Sequence, residues 1–110
     1  MATPEAQVRV VLLTAPDAAS AERLARALVE ERLAACVNAV PGVRSFYRWE
    51  GRIEDASEIL LVVKTRADRT TALAARVREL HPYALPEVLE LAAAGGSAEY
   101  LDWVRKESSP

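Results

Sequence analysis

Two segments of the chain place hydrophobic residues on both faces of a predicted strand. In Val8 to Thr14, Val8, Val10 and Leu12 point one way, and Val11 and Leu13 point the other; the run from Ile59 to Val63 is also apolar on both faces. Strands that are apolar on both faces are typical of positions buried inside a sheet. We therefore predict that these two segments are the central strands.

Two helices are predicted from apolar residues spaced three or four positions apart. Their apolar stripes are Ala21, Leu24, Ala25 and Leu28 in the first helix, and Leu73, Val77 and Leu80 in the second. Asp17 and Asp68 are the predicted N-caps, because a short side-chain oxygen accepts a backbone N–H of the first turn. The second helix is predicted to end at His81-Pro82, since proline disfavours a helical residue before it.

A long hairpin is predicted between Ala35 and Thr65, with its turn at Glu50-Gly51. Pro41-Gly42 interrupts the first arm, which marks an edge strand or a kinked one. The second arm, Arg52 to Thr65, would extend about 46 Å, whereas most strands span roughly 17–20 Å. The extra length indicates an arm that pairs with, or lies across, another copy of the chain.

A fourth strand is predicted from Pro86 to Ala92, and a short helix starting at Ser97 follows Gly95-Gly96. The order βαββαβ plus a terminal helix predicts one α+β domain, residues 1–110, of the ferredoxin-like class. Two helices cover one face of such a sheet. Leu12, Ile59, Leu61 or their opposite-face neighbours would then be exposed, which favours a homo-oligomer.

Composition narrows the function classes. The chain has 110 residues, a net charge of −2 and one cysteine. We therefore expect neither a positive surface that would attract nucleic acid nor an internal disulfide. The apolar runs are too short to span a bilayer and the N-terminus lacks secretory signal features, which predicts a cytoplasmic protein without a membrane partner. Nucleotide and acyl-transfer motifs are absent, and no aromatic RNA-binding strand is found.

The candidate functional residues are few. His81 is the one histidine, at a predicted helix end, and Lys64 lies on a mostly apolar strand. Glu58 belongs to an acidic group near the hairpin turn, which on a solvated hairpin would form cross-strand ion pairs; its members are Glu50, Glu54, Asp55 and Glu58. Cys36 is expected to be a small packed side chain. Lys64, His81 and Glu58 are the candidate polar groups of a cleft between subunits.

The segments "RLAACVNAVPGVRSFYRWEGRIEDASEILLVVKT" (32–65), "HPYALPEV" (81–88) and "YLDW" (100–103) resemble the CutA divalent-cation tolerance family. The resemblance implies a ferredoxin-like homotrimer with PII-like architecture, whose extended hairpins form sheets between subunits. It also implies a role in tolerance to copper and other divalent metals, with no agreed enzymatic reaction. Tyr83, in the His-Pro-Tyr segment, joins the candidate ligand-binding residues.

Leu13, Leu80 and Ala84 occupy positions where some members of that family have possible metal donors. Any copper or other divalent-cation site is therefore expected to be weak and to use His81 with carboxylates, and no cofactor is required. The leading hypothesis is a non-enzymatic trimeric binding or signalling module. The alternatives are an enzyme acting on a small anion in a cleft between subunits, with Lys64, His81 and Glu58, and a structural scaffold trimer.

Overall fold

The computed structural model describes residues 3–110; Met1 and Ala2 of the predicted domain lie outside the described residues. The regular elements are β1 (Val8–Ala15), α1 (Ala18–Glu30), β2 (Cys36–Trp49), β3 (Arg52–Arg66), α2 (Thr70–Leu80), β4 (Leu89–Ala92) and α3 (Ala98–Glu107), with short 3-10 helices at Pro4–Ala6 and Ala67–Arg69. The chain has an α+β fold, and no helix of residues 3–110 is both long enough and apolar enough to cross a membrane.

The four strands form one antiparallel sheet in the order β2-β3-β1-β4. Strand β1 pairs with β3 from Val8↔Arg66 to Ala15↔Ile59, and its other edge pairs with β4. The predicted central strands are therefore confirmed. Strands β2 and β4 are the two edges, as Pro41-Gly42 in β2 indicated.

The main core lies between the sheet and helices α1 and α2. The fully buried strand residues Val11, Leu13, Leu61 and Val63 belong to one cluster with the apolar stripes of both helices. Burying each leucine contributes about 1.5–3 kcal/mol. This packing places one face of the sheet against the helices and leaves the other face for α3 and for the groove described below.

Helix α3 covers part of the second face, which is a correction to the prediction that this face is bare. Val104 of α3 is fully buried and packs with Val8 and Ala35 in a second, smaller cluster. Ile59 and Leu61 belong to the main core, so on β3 it is their opposite-face neighbours, the alternative that the prediction allowed, that lie on the second face. Leu12 remains half-buried, and the apolar β4 residues beside it are exposed.

The hairpin is as long as predicted and its turn lies at Glu50-Gly51. Both turn residues have positive φ, 50° for Glu50 and 78° for Gly51, as a tight two-residue hairpin turn requires. The pairing shifts register between Val40 and Val43, where Gly42 has φ 79°. The interruption predicted at Pro41-Gly42 is therefore present as a bulge, and it changes which residues of the two arms share a face.

Two local predictions are wrong. Asp68 does not cap α2, because both of its carboxylate oxygens accept hydrogen bonds from the Arg66 guanidinium, and Arg69 precedes the helix without a side-chain cap. The fourth strand begins at Leu89, not at Pro86. Residues 81–88 instead form a loop, since Pro86 has no N–H to donate to the sheet.

The predicted cap of α1 is confirmed, and α3 has a cap that was not predicted. Asp17 accepts a hydrogen bond from the Ser20 backbone N–H at 2.8 Å, at the start of α1. Ser97 accepts from the Tyr100 N–H at 3.2 Å and stands just before α3, which begins at Ala98. The sequence prediction placed the start of this helix one residue early.

Candidate functional site

A groove of about 1070 Å³ lies between the hairpin and the loop that joins α2 to β4. It is mostly apolar and aromatic, with a few polar groups at its base. Its lining residues are Thr14, Ser45, Phe46, Tyr47, Trp49, Glu58, Pro82, Tyr83, Ala84, Leu85, Pro86, Glu87, Val88 and Leu89. A groove of this kind, with a few convergent polar groups, is the usual form of a ligand site.

The base of the groove is a chain of hydrogen bonds that joins three elements. The Tyr83 hydroxyl donates to Oε2 of Glu58 at 3.0 Å, and the Tyr83 backbone N–H donates to Nδ1 of His81 at 3.0 Å. Nε2 of His81 lies 2.7 Å from the Thr14 carbonyl. The carbonyl can only accept, so Nε2 bears the proton and Nδ1 is the acceptor, which defines a neutral imidazole.

These side chains converge because of how three segments end or pair. Glu58 lies on β3 opposite Val43, just past the bulge of β2. Helix α2 ends at Leu80, so His81 takes an extended backbone conformation, and its ring packs on Tyr83 with ring centroids 4.8 Å apart. The loop therefore folds back over the sheet and encloses Glu58, which is only 6% exposed.

The enclosed carboxylate affects its neighbours. Burial, followed by the hydrogen bond to Glu58, raises the pKa of Tyr83 to about 12. Burial, together with the charge of Glu58, also raises the pKa of Glu87. The groove thus holds an uncharged phenol bonded to one carboxyl group, Glu58, with a second carboxyl group, Glu87, in its lining.

The structure brings three of the four predicted ligand-binding residues together, namely Glu58, His81 and Tyr83. Glu58 is buried, in contrast to the solvated ion-pairing role expected for the acidic group; in that group, Asp55 pairs with Arg44. Lys64 is not part of the groove. It lies on the same strand as Glu58, about 20 Å further along, and its ammonium donates to the Asn38 side chain.

Lys64 belongs to a separate polar group at the opposite end of the sheet. Sγ of Cys36 lies 3.9 Å from Oδ1 of the same Asn38. Burial, followed by contact with Cys36, raises the pKa of Tyr100 on α3. Cys36 is partly buried, so this group is a packed contact between the sheet and α3.

The described residues do not fit a preformed metal centre. Within residues 3–110, no group of three or more His, Cys, Asp and Glu side chains is placed to hold a metal ion. Both ring nitrogens of His81 are already engaged, with the Tyr83 amide and the Thr14 carbonyl. A metal would have to displace one of these partners before it could bind the imidazole.

Sequence reasoning missed Glu87 and the use of Tyr47 and Trp49 as walls of the groove. The signal for the aromatic pair was the two-residue turn, which sets Trp49 opposite Arg52 and Tyr47 opposite Glu54. Alternation along the strands then puts both rings on one face. Glu87 gave no such signal, because its position depends on the path of the loop.

These features define a small α+β protein with one antiparallel sheet and an open aromatic groove that has a buried carboxylate at its base. Comparison with known proteins gives the family: the model of the CutA1 divalent ion tolerance protein family matches residues 9–107. The chain belongs to this family, which confirms the resemblance described from its sequence. The family is named for tolerance and not for a reaction.

Individual relatives agree with this assignment. The divalent-cation tolerance protein CutA of Thermus thermophilus is 52% identical over 99 residues, covering 90% of this chain and 96% of that protein. The crystal structure of CutA from Xylella fastidiosa superposes with a TM-score of 0.91 at 46% identity, covering 94% of this chain and 99% of that one. A CutA structure from Archaeoglobus fulgidus, named as periplasmic, has a TM-score of 0.89 at 37% identity, covering 93% and 99% of the two chains.

Proposed function

We propose that the protein is a non-enzymatic binding module that works as a homotrimer and contributes to divalent metal tolerance. The observation that supports this proposal is the groove, in which Tyr83 holds the enclosed carboxylate of Glu58 beneath a set of exposed aromatic and apolar residues. The groove offers a ligand site, and its open apolar rim offers a surface for another subunit.

The proposed oligomer rests on apolar side chains that a monomer leaves in water. Ile53 and Phe46 near the hairpin tip are 64% and 63% exposed, and Leu89 and Leu91 on the edge strand β4 are also exposed. The 14-residue β2 is the other edge of the sheet and has one free row of backbone hydrogen-bonding groups. Long apolar edges of this kind favour pairing with another copy, and a trimer built through the hairpins is the PII-like arrangement that we propose.

The proposed contribution to metal tolerance acts either through a ligand other than a metal or through weak binding of the metal itself. A copper ion at His81 would have to replace the Tyr83 amide or the Thr14 carbonyl as the partner of the ring. Ligand binding to the groove, with a signalling consequence in the cell, would not require this exchange. We therefore place the ligand in the groove and treat a weak copper contact at His81 as a secondary property.

The enzymatic alternative receives less support from the site. It required a small anion bound by Lys64 together with His81 and Glu58, but Lys64 lies elsewhere, and no lysine or arginine is among the groove residues of the described chain. A scaffold trimer would need the exposed hairpin but would not need the groove. We also propose a cytoplasmic location, since Cys36 is a free thiol in the structure.

Sedimentation velocity of the full chain over a range of micromolar concentrations tests the oligomer. We expect a single species of three times the chain mass of 12.0 kDa, which does not dissociate before it unfolds. A folded monomer that is stable at these concentrations would contradict the proposal.

A further inference from the structure

We propose that the groove binds an organic cation, an ammonium or guanidinium group with an apolar body, and that Glu58 provides the opposing charge. The inference rests on the proposed function, because it identifies the class of ligand for the same groove. It replaces the small anion considered from the sequence with a ligand of opposite charge.

The first observation is that Glu58 is enclosed without a cation. Its side chain is 6% exposed, and its recorded partner is the neutral Tyr83 hydroxyl, which bonds to Oε2. None of the ion pairs formed within residues 3–110 includes Glu58. A carboxylate taken out of water is costly unless it is paired, so a bound cation at this position would offset that cost.

The second observation is the set of rings that lines the same groove as this carboxylate. Tyr47 shares one face of the hairpin with Glu58, because Val43 lies opposite Glu58 and alternation continues along β2. Trp49 lies on the same face, about 20 Å along the hairpin from Glu58. Tyr83 closes the groove from the loop side. Aromatic faces attract ammonium and guanidinium groups, so Tyr83 and Tyr47 would add to the attraction of Glu58 for an organic cation.

The third observation is the balance of charge and apolar surface. The lining residues of the described chain include two carboxylates, Glu58 and Glu87, and no lysine or arginine. An anion would therefore meet repulsion at the base of the groove. Leu85, Val88 and Leu89 add apolar surface, which suits an organic cation better than a hydrated metal ion.

The volume of the groove favours a free small molecule as the occupant. At about 1070 Å³ it is just above the range of roughly 300–1,000 Å³ typical of small-molecule sites. A basic side chain from a second copy of the chain would present the same chemistry. The experiment below separates these two sources.

The test is an NMR titration of the full-length protein with three probes of similar shape. Tetramethylammonium is the cation, tert-butanol the neutral control and pivalate the anionic control. We expect tetramethylammonium to shift the ring signals of Tyr47 and Tyr83, which line the groove, and to leave the indole N–H signal of Trp103 on α3 unchanged. The neutral and anionic probes should leave all of these signals in place.

Two substitutions with the same chemistry identify the counter-charge. Glu58→Gln removes the enclosed charge and is expected to weaken tetramethylammonium binding on the order of tenfold. Glu54→Gln removes a charge from the same hairpin face, outside the groove lining, and should leave binding within a factor of about two. If Glu58→Gln does not fold, Tyr47→Leu provides the second variant, and loss of its ring should also weaken binding.

Sedimentation of the same samples separates this inference from the proposed function. A monomer that binds tetramethylammonium through Glu58 would refute the trimer and support the cation site. A trimer that binds none of the probes, with Glu58→Gln assembling normally, would overturn the cation site and leave the trimer standing. If tetramethylammonium fails to bind and Glu58→Gln disrupts assembly, a basic side chain of a second copy fills the groove, and the free-ligand inference is wrong.

Discussion

The Tyr83 hydroxyl donates a 3.0 Å hydrogen bond to Glu58, and this contact joins residues 25 positions apart in the chain. It attaches the loop after α2 to the third strand. The same tyrosine uses its backbone N–H to hold the ring of His81. One residue therefore shapes the groove, fixes the histidine tautomer and encloses the carboxylate.

The Tyr83 hydroxyl should lose its proton at a higher pH in the folded protein than in the unfolded chain. Its pKa is about 12, above the ordinary 10.0, because of burial and the hydrogen bond to Glu58. Above pH 10 the unfolded phenol loses its proton before the folded one does. The stability that this group contributes is thus fully present below pH 10 and is lost as the pH rises through about 12.

The measurement is the near-ultraviolet phenolate absorbance of the wild type and Tyr83→Phe. The variant should lack the late titration step, and a difference titration centred near the ordinary tyrosine pKa would contradict the assignment. Tyr83→Phe also leaves Glu58 without its hydrogen-bond donor, which should cost about 1–3 kcal/mol in urea unfolding at fixed protein concentration.

The strand positions were readable from the sequence because burial on both faces leaves a direct pattern. Val11 and Leu13 contact the helical layer, while Leu12 between them lies on the second face. Both sides of β1 therefore had to be apolar. The hairpin length was equally readable, since Glu50-Gly51 fixes the turn and Gly42 marks the bulge.

The path of the loop after α2 and the cap of α2 could not be predicted from the sequence. Each depends on which of several possible hydrogen-bond partners a side chain contacts in the folded chain. Asp68 has the chemistry of an N-cap, but the Arg66 guanidinium two residues away takes both of its oxygens. Glu58 lies in a polar stretch and was grouped with solvated charges. Glu58 is buried by its contact with Tyr83, and the hydrophobic pattern of β3 gives no sign of a contact with a residue so far along the chain.

Asp17 should contribute to stability through its cap of α1, and this contribution should depend on pH in the acid range. The Ser20 backbone N–H is the main cause of the lowered pKa of Asp17. The contribution is therefore present above the ordinary value of 3.8 and is lost as the pH falls through the lower folded value.

Urea midpoints of three variants test this cap. Asp17→Ala should lower the urea midpoint at neutral pH. Asp17→Asn should keep the midpoint close to that of the wild type, because asparagine also caps helices, but it should remove the pH dependence because asparagine does not titrate. Glu30→Ala, which removes an exposed carboxylate from the same helix, is the control and should have the smaller effect, since Glu30 caps no helix. Equal losses for Asp17→Ala and Glu30→Ala would contradict the importance of the cap.

Shortening the hairpin should weaken assembly more than it disturbs the helices. Arg48 and Ile53 are cross-strand partners near the tip, so deleting both keeps the remaining pairs in the same order. Ile53 is 64% exposed, and burying an isoleucine contributes about 1.5–3 kcal/mol. The association constant should fall on the order of tenfold or more for each lost contact.

Sedimentation measures the assembly, and circular dichroism measures the helices in the same samples. Ile53→Ser should reproduce part of the loss without altering the length of the arm. Glu22→Ala, which breaks an exposed pair with Arg26 on α1, is the control and should assemble as the wild type does. Unchanged assembly of the shortened chain would show that the arm has another purpose.

Copper should bind weakly, and its binding should depend on His81 more than on Cys36. An imidazole nitrogen becomes available only when the Tyr83 N–H or the Thr14 carbonyl is released, so part of the binding free energy is used to open the loop. Sites with nitrogen and oxygen donors follow the general divalent order, with copper above zinc. Calorimetric titration of the wild type should therefore give low affinity for both metals and a higher affinity for copper.

His81→Ala should remove most of the heat of copper binding, and Cys36→Ala should leave that heat nearly unchanged. Tight binding that is lost only in Cys36→Ala would instead identify the thiol beside Asn38 as the ligand and move the metal to the opposite end of the sheet.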